Sequence, residues 1–352
     1  MADFNYNSTY ELLQVVDRSF KPTTLFRDLF FNNEITFATE SVLMDYRKGG
    51  RKMAPFVSRN AGSTPVARSG FTTKQYTPPM IAPSRIMTVG DITGRGFGES
   101  VISSRTPEQR AMELIARDLA DLMDMSTRRI EWMAVQTLLS GGFEAAGLTG
   151  DGGTSIIDTV TYDTFTHKKT LTSTDTWTDT GADIYGQLKD MYQAITRDSG
   201  RTPEILITTS KTVTNMLKNK SLLDFFLRPA DQLKVATFAP RVVSDAVTYV
   251  GSFLDFNGLQ VYSYDGVYED EAGTIKQYIP DGYVIMARRN LGSQLFGAVT
   301  QLEADGNFKT YEGAYVPKVW ADVNGDTRQI RLATRCVPKP DCVDDWYTLK
   351  AY

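Results

Sequence analysis

The clearest pattern of apolar and polar positions in this chain lies between residues 106 and 140. Apolar side chains recur there at steps of three and four residues: Met112, Ile115, Leu119, Leu122, Met123, Ile130, Met133 and Leu138. This period predicts one amphipathic helix. Thr106 and Gln109 supply a capping box, Pro107 suits the first helical position, and Gly141-Gly142 supplies the stop. At 1.5 Å per residue such a helix is about 50 Å long, a length typical of spines in larger assemblies.

Shorter patterns predict further helices and strands on both sides of this helix. Helical periods lie at 23–31, 183–196 and 210–218, the last continuing into 221–227. Strand patterns lie at 35–46, 204–209, 259–268, 283–288, 295–300 and 327–337. A Thr-rich stretch with period-two alternation, 154–180, predicts a hairpin of exposed strands. Helices and strands are segregated along much of the chain, which predicts the α+β class.

Basic residues are concentrated in one segment. Between residues 46 and 90 there is no acidic residue but eight basic ones, namely Arg47, Lys48, Arg51, Lys52, Arg59, Arg68, Lys74 and Arg85. The whole chain has 38 basic and 42 acidic residues, so its net charge is −4 and the chain outside this segment carries −12. Repeated Gly and Pro residues predict a long β-hairpin with irregular flanks, which has no core of its own and needs another surface to lie on.

Two kinds of partner fit this cationic segment. Duplex DNA would supply negative charge, and an acidic surface on another copy of the chain would do so equally well. The acidic pI of about 5.3 argues against a strong phosphate-binding surface. The long helix presents Asp118, Asp121 and Asp124, which favours pairing between copies. The alternative is a solvated helix face with internal ion pairs, such as Asp124 with Arg128.

Residues that enzymes use for acid–base or nucleophilic chemistry are sparse. The single histidine, His167, falls in the Thr-rich stretch, where we expect it to be exposed, and it leaves no Ser-His-Asp, Cys-His or paired-His metal arrangement. Cys336 and Cys342 fit neither a disulfide framework nor a zinc site and are expected to be reduced thiols. The acidic cluster at 268–273 is expected at a solvated hairpin tip. We therefore expect no enzyme activity, no metal and no cofactor.

Several stretches together resemble a known family. They are LFRDLFF at 25–31, the positions Phe37, Thr39-Glu40, Val42 and Asp45, APFV at 54–57, PPMIAPSR at 78–85, the long helix ending at Gly141, and YVPKVW at 315–320. Their order and spacing resemble the major capsid protein E family of tailed phages, from about residue 12 to the end of the chain.

This resemblance implies the Hong Kong 97 phage-capsid fold. The expected parts are an N-terminal arm at 1–44, an extended hairpin called the E-loop at 45–93, a peripheral domain at 94–181 with its spine helix at 106–140, an axial domain at 182–311, and returning peripheral strands at 312–352.

The resemblance also implies a function and a set of partners. The chain would be the major capsid protein of a tailed double-stranded DNA phage, forming hexamers and pentamers of an icosahedral shell in the host cytoplasm and residing in the virion. Expected partners are other copies, a portal protein and packaged DNA without sequence-specific contact, while the resemblance leaves open whether a decoration protein binds at threefold positions. The chain begins directly at the arm, so a separate scaffolding protein is expected. No membrane partner is expected, since no window approaches 18 uninterrupted apolar residues.

Two alternatives remain open from the sequence. The same fold could form an encapsulin-like nanocompartment, or the cationic arm at 46–90 could bind DNA. In the capsid interpretation, the expected contacts between subunits are of two kinds. The apolar anchors are Phe56, Val57, Phe71 and Tyr76. The ion pairs join Arg47, Lys48, Arg51, Lys52 and Arg59 of the E-loop to Asp118, Asp121 and Asp124 of the spine helix.

Overall fold

A computed structural model provides the fold. It describes residues 24–39, 41–46, 53–58, 63, 65–66, 68, 70–94, 106–148, 154–220, 222 and 236–352. The helices are α1 (Leu25–Phe30), α2 (Val89–Thr93), α3 (Pro107–Ser140), α4 (Ile184–Ser199) and α5 (Ser210–Lys218), with short 3-10 turns at Ser173–Asp175 and Val343–Asp345.

Strands make up most of the remaining described chain. In order they are β1 (Asn33–Phe37), β2 (Val42–Tyr46), β3 (Thr72–Tyr76), β4 (Met80–Ile81), β5 (Ser84–Thr88), β6 (Gly142–Leu148), β7 (Thr154–Thr161), β8 (Lys168–Thr170), β9 (Ile205–Thr208), β10 (Ala236–Ser244), β11 (Val247–Phe253), β12 (Leu259–Tyr264), β13 (Val267–Glu269), β14 (Ile275–Gln277), β15 (Tyr283–Ala287), β16 (Gly292–Gly297), β17 (Val299–Leu302), β18 (Phe308–Tyr311), β19 (Val316–Asp322), β20 (Thr327–Pro340) and β21 (Trp346–Lys350).

The predicted long helix is confirmed as α3, with the predicted caps. The Gln109 backbone N–H donates to Thr106 Oγ1 at 3.3 Å, and the Thr106 N–H donates to Gln109 Oε1 at 3.1 Å. Gly141 ends the helix with φ of 77°, a conformation that glycine adopts without steric cost. Because these signals are local, the sequence places both ends correctly.

The first sheet is built around β20, a strand of 14 residues. β20 pairs antiparallel with β16, β19, β4 and β5, and β1 adds to β16 in parallel. The apolar face of α3 packs on this sheet, and the buried side chains Ile115, Leu122, Ile130, Leu332 and Val337 share one core. One helix and one strand thus form the centre of this half of the molecule.

The second sheet has seven strands in the order β10-β11-β12-β9-β15-β21-β8. β9 is buried at all four positions; it runs parallel to β12 and antiparallel to β15. Helices α4 and α5 contribute Leu188, Met191 and Met216 to the core of this sheet. The class is therefore α+β, as predicted.

Four separate hairpins complete the described chain: β2–β3, β6–β7, β13–β14 and β17–β18. The β2–β3 pair runs from Val42 opposite Tyr76 to Tyr46 opposite Thr72, which confirms a hairpin at the start of the cationic segment. The acidic cluster at 268–273 joins β13 to β14, so its predicted place at a hairpin tip is also confirmed.

Some predicted elements differ from the structure. The expected hairpin at 154–180 is wrong, because β7 pairs with β6 and the chain then enters the second sheet as β8. Trp177 in that stretch is buried rather than exposed. The pattern at 35–46 forms two strands, β1 and β2, that join different partners. Helix α5 ends at Lys218, and most of its expected continuation at 221–227 lies outside the described residues.

The short helix α1 is held on α3 by a buried carboxylate. Glu131, which is 1% exposed, accepts the N–H of Phe26 at 2.8 Å through Oε1 and the N–H of Arg27 at 3.0 Å through Oε2. These are free donors in the first turn of α1, so Glu131 acts as a helix cap from a distant element. Burial raises the pKa of Glu131 to about 7, against the opposing effect of these hydrogen bonds.

We predict that the free energy of unfolding falls as the pH rises from about 4.5 to about 7. In this window the folded chain holds a proton on Glu131 that the unfolded chain has released. Glu131→Gln removes this titration, so the dependence of stability on pH becomes shallower. It also leaves one buried N–H without an acceptor, at a cost of about 1–3 kcal/mol. Chemical denaturation at a series of pH values measures both effects.

Glu108→Gln is the matched control for this prediction, because Glu108 lies exposed in the first turn of the same helix. The control should keep the wild-type dependence on pH. An unchanged pH dependence in Glu131→Gln would show that this carboxyl is not the group that titrates.

Candidate assembly surface

The described part of the cationic segment presents apolar side chains to solvent. Phe56 is fully exposed, Met53 is 88% exposed, and Phe71 is 67% exposed. Val57 is also exposed. Burying one such side chain contributes about 1.5–3 kcal/mol, so the exposed side chains at 53–58 and that of Phe71 are each suited to packing against a partner.

Tyr76, predicted as a fourth apolar anchor, has a different role. It is buried, its hydroxyl donates to the Thr161 carbonyl oxygen at 2.6 Å, and its ring centroid lies 5.6 Å from that of Tyr162. Burial also raises the pKa of Tyr76. This side chain fixes the base of the β2–β3 hairpin to β7 of its own chain, and a contact of Tyr76 with another subunit stays a prediction.

Asp118 is likewise used within the chain. Arg85 Nη1 lies 2.7 Å from Asp118 Oδ1 and 2.8 Å from Asp121 Oδ2, and the Asp118 side chain is only 8% exposed. Arg85 is placed for this by β5, where it lies opposite Ile330 of β20. Asp118 and Asp121 thus both have a partner in their own chain, and their contact with another subunit stays a prediction.

The remaining predicted ion-pair residues divide into two groups. Asp124 is partly exposed and forms a salt bridge with Arg128 one turn along α3, which is the helical pair of the alternative interpretation. The basic residues expected to face a neighbouring subunit lie outside the described residues: Arg47, Lys48, Arg51, Lys52 and Arg59.

A groove between α3 and the β13–β14 hairpin was missed by sequence reasoning. It comprises two adjoining hollows of about 820 Å³ and 650 Å³. Trp132 and Tyr268 line both hollows, and Phe143 lines the larger one. Arg129 bridges the groove through a 2.7 Å contact with Glu271 and lies 5.4 Å above the Trp132 ring. The sequence located the hairpin but contained no signal that it folds back onto the helix.

This groove has an acidic border. Its lining includes six acidic and four basic side chains, so acidic groups exceed basic ones by two. We call this region the acidic groove. Its charged residues are Asp121, Asp124, Glu144, Glu269, Asp270, Glu271, Arg85, Arg128, Arg129 and Lys276.

The structure also locates the two cysteines and the single histidine of the chain. Cys336 and Cys342 are free thiols, and burial raises the pKa of Cys336 to about 12. His167 is 5% exposed, so its predicted exposure is wrong; the chain leaving β7 runs alongside the C-terminal strand β21, and the Thr348 N–H donates to the His167 carbonyl oxygen. Within the described ranges there is no grouping of three or more His, Cys, Asp or Glu residues suited to a metal ion. The described helices include none long and apolar enough to span a bilayer.

Solved structures with the same fold define the class of the molecule. A chain described as a prophage capsid protein of Escherichia coli CFT073 superposes with a TM-score of 0.68 at 18% identity, covering 98% of this chain and 99% of that one. A phage-related protein from Bordetella bronchiseptica RB50 gives 0.53 at 11% identity, over 97% and 96% of the two chains. The fold is that of phage capsid proteins, the Hong Kong 97-like fold.

Sequence comparison agrees with the fold. Residues 8–351 match the family described as phage major capsid protein E. The P21 prophage-derived major head protein of E. coli O6:H1 is 22% identical over 348 residues, 95% of this chain and 96% of the relative. The major capsid protein of Escherichia phage lambda is 22% identical over 336 residues, 92% and 93% of the two chains. The chain belongs to the phage major capsid protein E family, and it is a structural protein of a phage head.

We predict unequal costs for removing the two carboxylates that share Arg85. Asp118→Asn replaces a buried charge partner and should lower the free energy of unfolding by about 1–3 kcal/mol. Asp121→Asn replaces an exposed one, with a side chain 49% accessible, and should cost under about 1 kcal/mol. Chemical denaturation of the two single variants makes the comparison, and equal losses would contradict the structural role assigned to Asp118.

Proposed function

We propose that this capsid protein assembles with itself into hexamers and pentamers of a closed icosahedral shell around double-stranded DNA. The observation that carries the proposal is the surface at residues 53–58, where Phe56 is fully exposed in the connection between β2 and β3, whose base is fixed to its own chain by Tyr76. Such a segment gains a buried environment only from a neighbouring subunit. Family membership supports the shell as the setting for this contact.

We further propose the acidic groove of a neighbouring subunit as the surface that receives this segment. The segment 53–58 is uncharged, while the chain on either side of it carries Arg51, Lys52 and Arg59. Apolar side chains would pack against Trp132 and Tyr268, and the flanking basic residues would face the acidic border. Each exposed ion pair contributes about 0–1 kcal/mol, but the contact is repeated by every subunit of the shell.

The structure changes the expected ion pairs in one respect. Because Arg85 already engages Asp118 and Asp121, Arg129 engages Glu271 and Lys276 engages Asp270, the acidic side chains of the groove with no salt bridge among the described residues are Glu144 and, on the hairpin, Glu269. Asp124 contributes as well, although it shares its charge with Arg128. The proposed contact therefore involves the β13–β14 hairpin together with α3, rather than α3 alone.

The domain boundaries and the other partners also belong to this proposal. We assign the arm to 1–44, the E-loop to 45–93, the peripheral domain to 94–181 and 312–352, and the axial domain to 182–311. The core that α4 and α5 form on one face of the second sheet supports a unit of this kind, while Ile205, Ile207 and Ile285 on the other face of that sheet join the core of α3. Assembly in the host cytoplasm with a scaffolding protein and a portal, and decoration at threefold positions, are consistent with the function of such a shell.

We predict that Phe56→Asp blocks shell formation while leaving the isolated chain folded. The side chain has no described contact to lose in its own subunit, so the unfolding free energy of the free subunit should change by less than about 0.5 kcal/mol. In the assembled state the change would place an unpaired charge in an apolar contact. Electron microscopy and sedimentation velocity of the expressed chain measure the yield of closed shells.

Phe56→Leu is the matched variant, because it keeps an apolar side chain at the same position. It should retain shell formation at a reduced yield. If Phe56→Asp formed closed shells at the wild-type yield, Phe56 would not belong to the assembly contact. If neither variant formed shells and both subunits were unfolded, Phe56 would instead have a structural role within its own chain.

A further inference from the structure

The chain contains asparagine followed directly by glycine twice, at Asn257-Gly258 and Asn324-Gly325. Both asparagines are exposed, and each lies in a turn between antiparallel strands, the first between β11 and β12 and the second between β19 and β20. Asparagine is one of the thermolabile residues. Before glycine it is especially reactive, because no side chain keeps the next backbone nitrogen away from the asparagine amide.

The reaction open to such a pair is an intramolecular deamidation. The backbone nitrogen of the glycine gives its proton to water and forms a bond to Cγ of the asparagine. The bond between Cγ and Nδ2 breaks, and Nδ2 takes up a proton and leaves as ammonia, so a cyclic succinimide remains. Water then opens this ring at one of its two carbonyl carbons and yields aspartate or isoaspartate. Water is the only co-reactant.

The turn at Asn257 opposes this reaction. Asn257 and Gly258 have φ of 55° and 76°, positive at both central residues as in a type I′ turn. The Leu259 N–H donates across the turn to the Phe256 carbonyl oxygen at 3.1 Å, and the side chains of Phe256 and Leu259 are buried. Ring closure requires rotation about the Cα–C bond of Asn257. This rotation would break the turn and disturb the two buried side chains.

The turn at Asn324 has fewer restraints. The last pair of the β19–β20 ladder is Asp322 opposite Thr327, and every residue from Val323 to Asp326 is exposed. Within the described part of the chain, the hydrogen bond that holds Asn324 runs from its backbone N–H to Asp322 Oδ1, at 3.1 Å. This bond lies on the N-terminal side of Asn324. It does not oppose rotation about the following Cα–C bond, which brings the Gly325 nitrogen to Cγ.

We propose that Asn324 is a site of spontaneous deamidation in the folded chain, and that the turn at Asn257 protects the second asparagine–glycine pair. The product adds a carboxylate between Asp322 and Asp326 at an exposed tip. The isoaspartate form also moves one methylene from the side chain into the backbone of the turn. The end of the β19–β20 hairpin therefore changes in charge and shape as the protein ages, and the change is not reversed by loss of water.

Peptide mass spectrometry of the folded, full-length subunit tests the proposal. Freshly purified, unassembled protein is incubated at mildly alkaline pH, where a backbone amide loses its proton more readily, and the two asparagine peptides are followed with time. We expect Asn324 to convert to aspartate and isoaspartate about tenfold faster than Asn257, which corresponds to about 1.4 kcal/mol between the two barriers. Equal rates, or faster conversion at Asn257, would overturn the proposal.

The same measurement in concentrated urea separates the effect of the turns from that of the local sequence. Both asparagines precede glycine, so their rates should become similar in the unfolded chain, mainly because Asn257 becomes faster. If the ratio of the two rates were the same in the folded and unfolded chains, the folded turns would not set the reactivity and the proposal would be wrong.

Asn324→Gln is the matched variant. It keeps an amide at the same exposed position, but its longer side chain would have to close a larger ring, which forms more slowly. Conversion at residue 324 should fall below detection while conversion at Asn257 and the urea midpoint of unfolding stay at their wild-type values. Conversion at residue 324 at the wild-type rate would contradict the succinimide route.

The outcome of these tests does not depend on the proposed assembly contact. Residues 322–327 line neither hollow of the acidic groove, and they are separate from residues 53–58. All the measurements use isolated subunits, so a failure of the Phe56 contact would leave the assignment of Asn324 unchanged.

Discussion

The packing of α3 against β20 is the contact on which the rest of this molecule depends. A helix of 34 residues spans about 51 Å, and a strand of 14 residues spans about 46 Å, so the two match in length. Four strands pair with β20, and the apolar face of α3 covers the sheet that results. Other parts then attach to α3 by specific polar contacts: α1 through Glu131, β5 through Arg85, and β21 through the carbonyl oxygen of Leu138.

The described residues 53–58 of the cationic segment are exposed in this arrangement. Its base is fixed by Tyr76 against β7, and its end at Thr88 leads into α2. Between β2 and β3, the described residues 53–58 have no strand partner, and Phe56 is fully exposed. Ordering such a segment costs about 1–2 kcal/mol per residue in backbone entropy. In the proposed shell, the surface of a neighbouring copy would provide the compensating contacts.

Sequence reasoning succeeded where the deciding interactions are local. The capping box at Thr106, the stop at Gly141 and the three- and four-residue apolar period define α3 without knowledge of its partners. Sequence reasoning failed where an element distant in the chain decides whether a side chain is buried or paired. His167 is buried by β21, about 180 positions along the chain, and Asp118 is paired by Arg85 on a strand that β20 positions. The Thr-rich stretch shows the same limit, since alternation identifies β7 as a strand but does not name β6 as its partner.

The most direct measurement of the central claim is cryo-electron microscopy of the particles formed by the purified chain. The account predicts closed polyhedral shells in which the side chain of Phe56 lies between α3 and the β13–β14 hairpin of an adjacent subunit. A chain that remains a monodisperse monomer, or shells in which residues 53–58 contact no neighbour, would contradict it.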